Sequence, residues 1–374
     1  MQHKLIKTGL DCIVSKIVSY FLGLFAFLSV YATGIDSLTW ADAILVLFLV
    51  SSPLYGNKKI VSRYGYSLLG LAVSVFLPLL FGDSASWISS LRFTSYILFL
   101  LVYLEAIDLK FLFKIYRFMI IVSTAVVVIQ FISFEASGVI VLKKILPLPL
   151  IDLSFEIDGL YADLYYRPHG IFLEPTHHAQ LASIVFFYDR RLNNFWAVFI
   201  LVGIALSGSS AGLAFIILIL GFHGIKAVRN IRVSHLLIGL GLLVSFFFAI
   251  DFFASTYDRV MGEGFFSGEA FGYRFDGIIT SFSSFGFLDW FIGIGRGAQD
   301  GYLSSLFYIV NSGGFIALFF LLRLLRVKTL FETIFVVFMI LGSELLTNYG
   351  LLIFLPLVYK RYEYSYNKLL LGAR

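Results

Sequence analysis

The sequence predicts an all-α, polytopic integral membrane helical bundle of about 12 transmembrane helices, and three observations predict it. First, 59% of its 374 residues are hydrophobic and only 14% are charged, where a soluble domain carries roughly 25% charged residues. Second, mean hydropathy is +0.92 and the missing charge is spread along the whole chain, which excludes a soluble protein with a single anchor. Third, basic and acidic residues sort to opposite ends of the predicted helices. Heavy use of Phe (42) and Tyr (21) suits lipid contact and interfacial belts. The lone cysteine, Cys12, excludes a disulfide framework and any Cys-based metal site. A pI near 9.1 could suggest nucleic acid, but the basic residues fall in short loops between helices. They are a topology signal, and no nucleic-acid partner is expected.

Each span needs about 20 predominantly apolar residues, fewer where neighbours support a kinked helix. On that basis spans lie near 14–33, 38–55, 64–82, 92–107, 115–135, 168–188, 194–207, 209–225, 235–254, 302–322, 329–347 and 349–359. The last is short and has Pro356 near its end. The first follows Lys4, Lys7 and Lys16 without a small-residue cleavage site after it, and reads as an uncleaved signal anchor.

Orientation follows from Lys and Arg. With the N-terminus inside, cytoplasmic segments hold basic pairs and triplets such as Lys58–Lys59, Arg190–Arg191 and Arg323, Arg326 and Lys328. Only seven of the 28 basic residues then lie outside: Arg92, Lys143, Lys144, Arg167, Arg259, Arg274 and Arg296. Acidic residues divide the other way. An even helix count with both termini cytoplasmic sorts both signs. The whole chain, 1–374, reads as one transmembrane domain with two long extracytoplasmic loops, 136–167 and 255–301, and connections of that length tend to be functional. The second is Gly-rich and holds an amphipathic piece, Tyr273–Trp290, expected to lie along the membrane interface.

The most informative stretch is Arg167-Pro168-His169-Gly170-Ile171-Phe172-Leu173-Glu174-Pro175-Thr176-His177-His178. It brings one Arg, one Glu and three His to the outer end of a helix that must enter the membrane. Pro168 suits a first helical turn, and Pro175 then invites a kink. In a continuous helix Glu174, His177 and His178 share a face, with Arg167 two turns above Glu174. Ionisable groups at such depth face a cavity or a partner and are functional candidates. The alternative is a structural Arg167–Glu174 pair with interfacial histidines. Glu174-x-x-His177 could be half of a carboxylate-bridged metal site, but such sites use two of these pairs and the sequence has no second one. No metal or cofactor is expected.

Gly208-Ser209-Ser210-Ala211-Gly212 spells the nucleophile elbow, which needs a strand before it and a hydrolase sheet around it. Here it joins two apolar helices and reads as a tight hairpin. Gly293-Ile-Gly295-Arg296-Gly297 lacks the spacing and the βαβ context of a dinucleotide fingerprint. It reads as a flexible outer loop, with Arg296 and Asp300 facing the same cavity as Arg167. Arg167, Arg259, Arg274 and Arg296 thus stand in or beside the two long outer loops. Arg meets phosphate through two parallel hydrogen bonds, so the set suits a lipid-linked diphosphate. For any single one, pairing with the outer acids is the alternative.

On these residues the sequence resembles the Wzy-type O-antigen (surface polysaccharide) polymerases, within the O-antigen ligase-polymerase superfamily. The resemblance rests on Arg167-x-x-Gly170-x-x-x-Glu174-Pro175, the Ser-Gly-Ser-Ser hairpin at 207–210, Arg274, Gly293-Ile-Gly295-x-Gly297, Asp300-Gly-Tyr-Leu303 and Gly313-Gly314. It implies a metal-independent glycosyltransferase in the bacterial inner membrane. That enzyme moves a glycan from undecaprenyl diphosphate to the terminal sugar of another lipid-linked repeat unit on the periplasmic face. Implied partners are undecaprenyl-diphosphate-linked glycans, the lipid bilayer, and a chain-length regulator and flippase of the same pathway. The ligase relatives carry a His followed by Asn, Ser or Gln where this chain reads Gln299-Asp300-Gly301, which favours a polymerase.

The acceptor hydroxyl needs a base within hydrogen-bond reach, and Glu174 is the first choice, with Asp300 and His178 behind it. Arg167 and Arg274, then Arg259 and Arg296, are assigned to the diphosphate, and His169 and His177 to other substrate contacts. The other readings are a ligase-type glycosyltransferase and a twelve-helix transporter or flippase of polysaccharide precursors. Secondary transporters are commonly built from repeats with midplane binding, and no repeat is visible here.

Overall fold

A computed structural model describes residues 2–35, 38–55, 62–81, 86–139, 141–142, 144–151, 167–188, 192, 194–209, 211–217, 269–298, 303–325, 330–342, 345 and 349–358. Among these the chain is helical, with no strand and a single antiparallel bridge between Ala32 and Thr39. The helices are α1 (Gln2–Leu28), α2 (Trp40–Tyr55), α3 (Ser62–Phe76), α4 (Pro78–Phe81), α5 (Trp87–Tyr103), α6 (Leu109–Ser137), α7 (Pro175–Tyr188) and α8 (Asn194–Leu206). After a short helix at 211–217, here α9, come α10 (Glu269–Ser283), α11 (Phe287–Ile292), α12 (Ser305–Leu324), α13 (Leu330–Gly342) and a helix at 350–358, here α14.

Among the described residues, four stretches are long and apolar enough to cross a membrane: Tyr64–Phe81, Trp87–Ala106, Leu109–Ser137 and Ser305–Leu324. Cys12–Leu28, Trp40–Ser52 and Asn194–Leu206 are apolar but shorter. The span expected at 235–254 lies outside the described residues, as do parts of the outer loops.

The helix boundaries have local causes. At the start of α2 the Asp42 carboxylate accepts the Thr39 backbone N–H at 2.9 Å, while Thr39 Oγ1 accepts the Asp42 N–H at 3.2 Å. This reciprocal box satisfies two donors that a helix start leaves free. Proline has no N–H to donate and cannot sit in a helix interior without breaking it, and Pro78 accordingly separates α3 from α4. Asp108 caps α6 by accepting the Lys110 N–H at 2.9 Å, and its own N–H donates to Ser19 Oγ of α1 at 2.8 Å.

The chain divides into two compact units, 1–115 with 276–374, and 116–275. In the first, α12 packs along α3 and against α11. Gly70 has no side chain, and the ring of Phe320 occupies the space a Cβ would take. Gly313 and Gly314 interrupt α12 with non-helical backbone. The left-handed φ of Gly314 (65°) and the contact of its Cα side with the Phe291 carbonyl mean that only glycine fits there. In the second unit α8 lies close against α6, because a Cβ on Gly203 would approach Thr124 Cγ2 to 2.5 Å.

One expectation about boundaries is corrected. The helix expected over 168–188 begins instead at Pro175, and 167–174 is irregular. Pro175 starts that helix and does not kink it. The residue before a proline is pushed out of the α region, and Gly170 adopts φ 70°, so the chain cannot be helical across either point. The amphipathic piece Tyr273–Trp290 is carried by two helices. It is α10 and α11 with a break at residues 284–286, and Ile279, Phe287 and Leu288 on it are exposed.

Candidate functional site

The 167–180 segment of the second unit is assembled on α6. Gln130 sits in the apolar part of that helix and is fully buried. Its Oε1 accepts the N–H groups of His169 at 3.1 Å and Gly170 at 3.0 Å. Its Nε2 donates to the carbonyls of Leu142 at 3.1 Å and Gly170 at 3.3 Å. One side-chain amide thus satisfies both backbone groups of a buried turn, which would otherwise be costly to bury. About two turns earlier on α6, Ser123 Oγ accepts the Ile171 N–H at 3.3 Å and lies 2.9 Å from His178 Nδ1. The loop approaches so closely that a Cβ on Gly170 would collide with Ser123 Oγ and come within 2.9 Å of the Ser123 carbonyl.

The three histidines and the glutamate have different surroundings. His169 is buried, and its Nδ1 is paired with the Phe172 carbonyl. That acceptor fixes the proton on Nδ1. His178 is fully buried with Nδ1 on Ser123, so it faces α6 and is closed to a large acceptor. Glu174 sits outside the first turn of α7, its carbonyl accepting the His178 N–H at 3.2 Å. The Glu174 carboxylate is 41% exposed and lies 3.9 Å from His177 Nε2, a side chain only 12% exposed. The face expected to carry Glu174, His177 and His178 together is therefore split. Glu174 and His177 stand side by side near the surface, and His178 points into the packing against α6. Arg167 is half-buried at the start of the segment.

The Ser207–Gly212 hairpin behaves as a turn. Gly208, with φ 58°, ends α8, and Ser209 Oγ accepts the Gly212 N–H at 3.3 Å and donates to Thr176 Oγ1 at 3.3 Å. Ser209 is thus a helix cap that also ties the hairpin to the first turn of α7. This agrees with the hairpin reading of Gly208-Ser209-Ser210-Ala211-Gly212.

Arg296 belongs to the first unit, where it is enclosed by packing. It is 2% exposed, and its guanidinium carbon lies 4.5 Å from the Phe93 ring centre and 4.7 Å from that of Tyr308. Its Nε donates to Ser89 Oγ at 3.3 Å, and its carbonyl accepts the Ser86 N–H at 2.7 Å. The 293–297 segment, expected as a flexible outer loop, is held against α12, with the Asn311 carbonyl accepting the N–H groups of Ile294 at 2.9 Å and Gly295 at 3.2 Å. Arg274 lies on α10, and Asp300 and Arg259 lie outside the described residues. Among the described residues no group of three or more His, Cys, Asp or Glu comes together to hold a metal ion.

In comparisons with known proteins, no protein-family model, no curated protein and no solved structure matches this chain.

Gln130 and Ser123 are the residues that sequence reading missed. The signal was available. Both are polar, they are seven residues apart on one face of a 29-residue apolar helix, and a polar side chain there needs a partner across the bundle.

Proposed function

We propose that this chain is a multi-pass membrane glycosyltransferase that polymerises lipid-linked oligosaccharide repeat units, with undecaprenyl diphosphate as leaving group. The observation that supports it best is the 167–180 segment. A charged run at the start of α7 is pinned through its backbone by Gln130 and Ser123, while the Glu174 carboxylate remains open beside His177. A pinned but accessible carboxylate suits a base that takes a proton from an acceptor hydroxyl, since a rigid backbone holds the group in reach of the reacting atom. Glu174 takes that role over His178, whose ring is committed to Ser123. Arg167 and Arg274 would hold the diphosphate, stabilising charge that develops as it leaves. In this reading twelve spans bring both termini to the cytoplasm of a bacterial inner membrane, and the segment faces the periplasm. The acidic and basic residues support that by sorting to opposite sides.

The test uses Arg167→Lys, Arg274→Lys and Glu174→Gln in a cell whose surface polysaccharide depends on this chain. Replacing Arg by Lys keeps the charge and loses the two-pronged contact, which removes about 10²–10³ in rate if the contact is made in the transition state. Polymer is expected to vanish or shorten to single repeat units while protein abundance in the membrane stays normal. Wild-type polymer from all three variants would sink the assignment. Reporter fusions at Lys144 and Gly268 check the orientation, and cytoplasmic activity at either refutes it.

A further inference from the structure

A second polar cluster lies in the first unit, built on Asp42, Arg92 and Tyr96. Asp42 is 5% exposed, and its carboxylate is fully engaged. Oδ2 accepts the Thr39 N–H at 2.9 Å and the Thr39 hydroxyl at 2.8 Å, and Oδ1 accepts the Tyr96 hydroxyl at 2.6 Å. Arg92 of α5 approaches the same carboxylate with Nε at 3.2 Å from Oδ2. The contact is ionic and badly aligned, for Nε makes no hydrogen bond there, and Nη2 is buried and meets no acceptor at all. The Arg92 side chain is 23% exposed, so part of it reaches the surface while Nε and Nη2 are buried and unmet. Both Asp42 oxygens are already engaged by three donors, and the Arg92 Nε beside Oδ2 is not aligned to add a fourth.

Buried arginine donors without acceptors are costly, and an unmet donor in a native structure points to an ion or ligand. The surroundings favour an anion. Ser89, Arg92, Phe93 and Tyr96 form one face of α5, and Arg296 is fixed on that face by Ser89 and Phe93. A second guanidinium therefore stands along the same helix face as Arg92. The depth favours a phosphate. Arg92 is five residues into α5, about 7–8 Å along its axis, and Trp87 at the start of that helix is 57% exposed. Exposed tryptophan at the end of a membrane helix marks the headgroup level, where phosphate is the abundant anion.

We propose that Arg92 is the anchor of a phosphate-binding site in the first unit, with Asp42 and Tyr96 orienting its guanidinium and its unmet donors meeting phosphate oxygen. The site goes beyond the polymerase reading and does not depend on it. The phosphate could come from a lipid headgroup or from a free diphosphate, and the test separates them. Full-length protein in phosphate-free maltoside micelles is treated with phenylglyoxal, which modifies accessible guanidinium groups. Modification of Arg92 is followed by mass spectrometry, with the exposed Arg323 as internal reference.

Arg92 is expected to react in bare micelles, and bound phosphate is expected to slow it by at least about tenfold, the value of one charge-assisted hydrogen bond. Protection by added inorganic pyrophosphate supports the site with a free diphosphate as ligand. Protection by added phosphatidylglycerol alone supports it with a lipid headgroup. An Arg92 that is unreactive in bare micelles, or that reacts equally with and without both additives, overturns the proposal. Since no polymer is assayed and no residue is replaced, failure here leaves the reading of Glu174 untouched.

Discussion

The segments at 167–174 and 293–297 look alike in sequence and differ in how they are held. Both are short irregular runs with glycine at positive φ and an arginine, and each precedes a helix in the chain, α7 and α12. The first is held by a side chain: Gln130 meets the backbone of His169 and Gly170, and the Glu174 carboxylate beyond it is 41% exposed. The second is held by backbone. The Asn311 carbonyl takes two N–H groups, a Cβ on Gly293 would come within 2.6 Å of the Gly313 nitrogen, and Arg296 is closed between two rings. An arginine in an outer-looking loop is thus no guide to exposure. What decides is whether an aromatic pocket lies within reach of its side chain.

The difference can be broken by substitution. The largest effect is expected from Gly314→Ala. A Cβ there would collide with the Phe291 backbone, which cannot move aside as a side chain can, and φ 65° is strained for alanine. Little folded protein should reach the membrane, read as loss of the monodisperse species after extraction. Gln130→Leu comes next. It leaves the His169 and Gly170 N–H groups buried and unpaired, at a cost of about 3 kcal/mol. That should appear as a lowered unfolding midpoint in mixed micelles, with polymer synthesis lost alongside because the 167–174 backbone is released.

Ser209→Ala removes a cap and one interhelical hydrogen bond, worth about 1 kcal/mol, and should lower the midpoint slightly while polymer length stays normal. Short polymer at normal protein level would show that Ser209 does more than cap. The smallest effect belongs to Asn311→Leu. The residue holds 293–295 through its backbone carbonyl, and its side chain makes one long contact, Nδ2 to the Gly295 carbonyl at 3.4 Å, with Oδ1 buried and unpaired. A change below about 1 kcal/mol is expected, since replacing an unmet polar atom by an apolar one is close to neutral. A loss as large as that of Gln130→Leu would erase the contrast between the two segments.

Much of the scaffold was legible from residue order. The apolar run 115–135 falls inside α6, and the paired small residues at 207–212 make the turn expected of them. The candidate segment was legible as composition only. Arg167, Glu174 and three histidines within twelve residues announced a special stretch, but a helix drawn through them put His178 and Glu174 on one face. Gly170 and Pro175 carried the contrary signal, since one favours positive φ and the other expels its predecessor from the α region.

By itself the sequence determined that the chain is helical and apolar enough to cross a membrane, where charge is concentrated, and which stretches are punctuated by glycine and proline. These follow from local rules, since apolar run length, missing N–H groups and permitted φ act within a few residues. Tertiary structure alone decided which polar groups meet. Gln130 with Gly170 is a pair 40 residues apart, Tyr96 with Asp42 is a pair 54 apart, and Ser89 with Arg296 is a pair 207 apart. No local pattern encodes such partners. Each is chosen because a donor or charge taken out of water must find an acceptor, and only packing determines which one lies within hydrogen-bond reach.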